Sequence, residues 1–110
     1  MIMRYIHKKA KALTMIRQVT PIDPKLLKIR SKVELYEGVD KNKYTAIIGI
    51  KQKSRILTKD IIRFEDMVVK MAHYFDHAFD AKKLIVDAPM CSKAAKAMRE
   101  NGWEVVDATV

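Results

Sequence analysis

Tyr44–Ile50, inside the stretch KYTAIIGIK, is a nearly unbroken β-prone apolar run, and it constrains the fold more than any other feature of the chain. A short run of this kind without polar alternation predicts a central strand buried on both faces. It opens directly onto Lys51, Gln52, Lys53 and Arg55. A buried strand that ends in a cluster of positive charge places polar groups at the rim of a core. The rest of the chain reads as packing around it.

Upstream, Lys32–Glu37 alternates, with Val33 and Leu35 on one face and Glu34 and Tyr36 on the other, the pattern of a half-buried strand. The short link Gly38-Val39-Asp40-Lys41-Asn42 predicts an antiparallel hairpin with the central strand. On the central strand Ile47, Gly49 and Lys51 share one face, and Ala46, Ile48 and Ile50 share the other. Gly49 removes a side chain in mid-strand, which marks a bulge or a close approach.

Residues 2–18 carry Ile2, Ile6, Ala10, Leu13 and Ile16 at near-helical spacing, with Arg4, Lys8, Lys11 and Arg17 mostly off that stripe. This predicts a basic amphipathic helix over residues 1–20. Thr20-Pro21-Ile22-Asp23-Pro24 reads as a breaker, with Asp23 capping and Pro24 opening a short helical turn through Leu27. Downstream, Thr58 or Asp60 caps a helix to about His77. Its inward stripe is Ile61, Phe64, Val68, Met71, Ala72 and Phe75, and Glu65 falls at the margin. His73 and His77 are spaced i, i+4 but project to the polar face, so they read as solvent-facing rather than as a metal pair. Lys83–Asp87 is a strand, Cys91–Asn101 a helix with Lys93, Lys96 and Arg99 outward, and Trp103–Val106 a last strand. Asn101-Gly102 supplies the helix stop. A strand–helix–strand of this length implies a parallel pair with a right-handed crossover.

The expected order is therefore helix–strand–strand–helix–strand–helix–strand, an α/β fold with a mixed sheet. At 110 residues, 49% of them hydrophobic, the chain is expected to form one domain with a sizeable core. One cysteine excludes an internal disulfide framework and fits a reducing, cytoplasmic location; beside no evident base, Cys91 reads as a structural thiol. No apolar run approaches a membrane span. Residues 1–59 hold 15 Lys/Arg against 4 Asp/Glu, whereas residues 60–110 hold 7 against 9. This asymmetry points to a polyanionic partner, nucleic acid first. Lys8, Lys11, Arg17, Lys51, Lys53, Arg55 and Lys59 are the candidate phosphate contacts.

IIGIKQKSRILTKDIIRFEDMVVKM resembles an apolar strand ending in acid-x-Lys, followed by basic residues and a helix. LIVDAPMCSKAAKAMRENGWEVVDA resembles the strand, small-residue helix and closing strand that come after it. Together, over residues 32–107, they resemble the restriction-endonuclease-like core of the PD-(D/E)xK nuclease superfamily. The resemblance implies two carboxylates holding a divalent metal, usually magnesium, and a lysine that positions the attacking water. Asp40 matches the first acid and Lys51 the lysine. Gly49 stands where the family has its second acid. The neighbouring helix could supply that acid through Glu65, or the first strand through Glu34 or Glu37. The implied catalytic set is Asp40, Lys51 and Glu65, with Mg2+ on Asp40 and Glu65.

Two classes of function follow. One is a nucleic-acid-binding protein on a nuclease-like frame, a degenerate or divergent metal-dependent endonuclease, with DNA ahead of RNA. The other is a structural or subunit-interaction protein forming a homo-oligomer, in which the charge is incidental. A homodimer is compatible with either, since nucleases of this fold often act as dimers.

Overall fold

In the computed structural model, residues 18–29, 33–40 and 43–107 are described. Five strands form one mixed sheet, β1 (Gln18–Ile22), β2 (Val33–Asp40), β3 (Lys43–Lys51), β4 (Ala81–Asp87) and β5 (Trp103–Asp107). Their spatial order is their chain order. β1, β2 and β3 are antiparallel neighbours; β3, β4 and β5 run parallel. The helices α1 (Asp60–Phe75) and α2 (Ser92–Glu100) make the two crossovers between the parallel strands. The expected mixed α/β architecture, hairpin and parallel pair are all present.

β1 was not expected. Thr20, Pro21 and Ile22, read above as a breaker, lie in a strand that pairs with Leu35–Val39 of β2. Proline is admissible there because β1 is at the sheet edge, where one side of the strand needs no ladder partner. The basic helix expected over residues 1–20 falls largely outside the described residues, and its expected end at Gln18–Thr20 is this strand. The short turn behind it is as expected. Pro24–Leu27 is a single 3₁₀ turn, with Asp23 accepting from the Lys25 N–H at 3.0 Å and Lys28 at φ 58° ending it.

The register explains the burial. Ala46, Ile48 and Ile50 face the same side as Val33, Leu35, Leu84 and Val86. There they pack with Phe64, Met67 and Met71 of α1, Met98 of α2, and Trp103. Both helices therefore cover one face. Tyr36, Ile47 and Ile85 point to the other face and are equally sealed, so β3 is buried on both sides. Each fully buried side chain of this size contributes about 1.5–3 kcal/mol relative to exposure.

α1 begins without a side-chain cap from Lys59. Instead, the Asp60 carboxylate reaches back to accept the Leu57 N–H at 2.8 Å, which satisfies a donor ahead of the first turn and places negative charge at the helix start. It ends at Phe75 because Asp76 takes a left-handed conformation, φ 59°. The expected continuation to His77 does not occur; the chain turns there and drops back onto the sheet. Gly102, at φ 87°, makes the turn from α2 into β5, where a side chain would be strained.

Candidate nucleic-acid interface

The carboxyl ends of β3, β4 and β5 lie together at one edge of the sheet, with the N-termini of α1 and α2 beside them. Ligands of open α/β sheets gather at such an edge. Here it is built from an irregular segment, residues 52–59, fastened at three points. Gln52 donates its N–H to Asp87 O at 3.3 Å, Ile56 donates to Pro89 O at 2.8 Å, and Cys91 donates to Ile56 O at 3.0 Å. Ile56 and Met90 thus form a parallel bridge. Ile56 is fully buried. With that one side chain turned inward, Lys51, Lys53, Arg55 and Lys59 are all exposed. None of the four takes part in an ion pair among the described residues. Asp60, the nearest carboxylate in sequence, is engaged by Leu57 and by Arg63 at 3.7 Å. The result is a small basic surface, with Asp87 as the carboxylate in register beside Lys51. Lys8, Lys11 and Arg17 lie outside the described residues.

Cys91 sits where this segment meets α2. Its thiol is held below the ordinary range, first by the backbone N–H groups of Ala94 and Lys93 and further by the positive charges of Arg55 and Lys93.

The catalytic set implied by the resemblance is not brought together. Asp40 pairs with Lys43 beside the hairpin turn, and Lys51 lies eight residues further along β3, about 26 Å at the usual strand rise. An acid in a hairpin turn is necessarily farthest from the far end of the second strand. Glu65 is on the helix-covered face, where Lys82 Nζ lies 3.1 and 3.2 Å from its two oxygens and Trp103 Nε1–H donates to it at 2.9 Å. The side chain of Asp40 lies outside the described residues. Among the described residues no group of three or more His, Cys, Asp or Glu is arranged to hold a metal.

Of the alternative acids, the register separates Glu34 from Glu37. Glu34 lies directly opposite Gly49, and Asp87 is the partner of Lys51. Glu37 is on the other face, at the far end of the hairpin, where its Oε2 is 2.5 Å from His77 Nε2. His77 is accordingly not the solvent-facing residue expected from helical spacing. It stacks on Tyr44 with ring centroids 3.7 Å apart. The left-handed Asp76 carries it there, and nothing in the spacing of His73 and His77 signals that turn.

No family model matches the chain, and no curated protein matches it. The arrangement is a mixed α/β fold with a five-stranded sheet and two helices. Among solved structures, the chain is similar to EndoMS in its apo form, with a TM-score of 0.54 and 11% sequence identity. The likeness covers 92% of this chain and 44% of the EndoMS chain, so the sequence spans less than half of that protein's length. At such identity the likeness is one of fold. Among the described residues no helix is long and apolar enough to cross a membrane.

Proposed function

We propose that this chain is a nucleic-acid-binding protein on a nuclease-like frame, related to the PD-(D/E)xK nucleases and reduced at its catalytic set, with DNA ahead of RNA as ligand. The observation that carries this reading is the exposed group Lys51, Lys53, Arg55 and Lys59, in no ion pair among the described residues and fastened by backbone hydrogen bonds at the carboxyl edge of the parallel strands. The fold likeness to EndoMS, a nuclease, supports it. Four phosphate contacts give a log–log salt slope of roughly −3 to −4. Fluorescence anisotropy with labelled oligonucleotides in a salt series measures that slope. Changing all four cations to Gln removes most of it if the reading holds. A wild-type protein that binds no oligonucleotide sinks the reading and leaves the homo-oligomer as the function to pursue, by sedimentation.

A second reading, residual metal-dependent cleavage, draws on one feature. Glu34 and Asp87 flank Gly49 and Lys51 on the same sheet face. Cleavage of the same oligonucleotides in Mn2+, lost in both Lys51→Ala and Glu34→Gln, supports it; intact oligonucleotides in the wild type exclude it.

A further inference from the structure

The basic segment does not end at its own borders. Residues 87–91, to which it is fastened, lead into α2, where Lys93, Lys96 and Arg99 stand between the flanking carboxylates Asp87 and Glu100; residues 51–59 hold four cations and no carboxylate. Lys93 and Lys96 are exposed on the first turns of α2. They too enter none of the ion pairs among the described residues. The Ile56–Met90 bridge and the Cys91 N–H to Ile56 O bond hold Arg55 beside the start of that helix.

We infer that the loop and the outer face of α2 form one phosphate-binding strip, and that its ligand is double-stranded. This rests on the nucleic-acid reading above and names the form of the ligand. Two observations argue for a duplex. Surfaces for single strands interleave cations with aromatic side chains on which bases stack. Residues 51–59 and 88–101 contain no Phe, Tyr, Trp or His. In addition, the two groups of cations sit on segments locked to one another, so their spacing is set before binding. Preorganised contacts favour a partner whose phosphates are themselves fixed in space. A flexible single strand offers no such match.

The experiment is anisotropy with a duplex and with a single strand of the same sequence, across a salt series. The proteins are wild type, Lys93→Gln/Lys96→Gln and Lys53→Gln/Arg55→Gln. Lys and Gln have similar helix propensities, and circular dichroism confirms that each variant is folded. The wild type binds the duplex more tightly, and each double variant lowers the salt slope by about 1.8. If Lys93→Gln/Lys96→Gln keeps the wild-type slope while Lys53→Gln/Arg55→Gln loses it, α2 is no part of the surface and the loop reading stands. If neither variant changes binding, both readings fall. Equal or tighter binding of the single strand overturns the duplex assignment.

Discussion

At the scale of single residues, His77 shows what its bonding partners impose. Nδ1 lies 2.8 Å from the Ala78 carbonyl oxygen and Nε2 2.5 Å from the Glu37 carboxylate. A carbonyl oxygen and a carboxylate oxygen are acceptors, so this pair of partners favours the ring form in which both nitrogens carry a proton. Partial burial opposes that charge; the bonds to Glu37 and Ala78 and the charges of Glu37 and Asp80 outweigh it, and the pKa is raised above 6.5. A raised folded-state pKa stabilises the fold fully below the unfolded value, and the contribution disappears as pH climbs through the folded one. The melting temperature therefore falls as pH is taken upward from 6.5, and His77→Gln flattens that dependence. Glu65 makes the complementary case. It ties α1 to β4 and β5 through Lys82 and Trp103. Glu65→Ala leaves the indole N–H without its partner and costs about 1–2 kcal/mol, read from a urea midpoint. Its effect on nucleic-acid affinity is nil; a marked loss of binding with unchanged stability contradicts the structural role.

Among the elements, the irregular segment 52–59 depends most on one contact. It has no ladder of its own beyond the Ile56–Met90 bridge, and Ile56 is its one fully buried residue. Ile56→Ala is expected to cost about 2–4 kcal/mol and to weaken duplex binding although no charge is removed. Urea denaturation and anisotropy on the same preparation test the two effects. That Ile56 is an anchor was not legible: an isoleucine within a basic run carries no periodicity. Alternation revealed β2 and the helical stripe revealed α1, because each buries one face and must repeat, while β3 was legible as an unbroken apolar run because it is buried on both. Periodicity concealed β1, whose Pro21 suits only an edge, and edge position is a property of the sheet rather than of the segment. Asp40 and Lys51 are held apart for a related reason. Asp40 is near Lys51 in sequence, but strand pairing converts that nearness into separation along the hairpin. Glu34, farther away in sequence, is the acid that pairing brings opposite Gly49. The basic rim could be read directly, since charge at the end of a buried strand has nowhere to go but the surface.

Across the whole molecule, one cluster joins both helices to the sheet, and Trp103, 3% exposed, lies within it. Trp103 fluorescence and far-UV circular dichroism are expected to give coincident urea transitions, as a single cooperative core requires; separated midpoints contradict one core. The coincidence of strand order with chain order has a bearing on how the molecule is made. As the polypeptide leaves the ribosome, each strand meets an edge left open by the strand synthesised before it, so the sheet grows in one direction like a closing zip. No strand has to be inserted between two that are already paired, and the apolar run of β3 gains its β2 partner within a few residues of emerging. One edge of that apolar run is thereby covered before β4 is made.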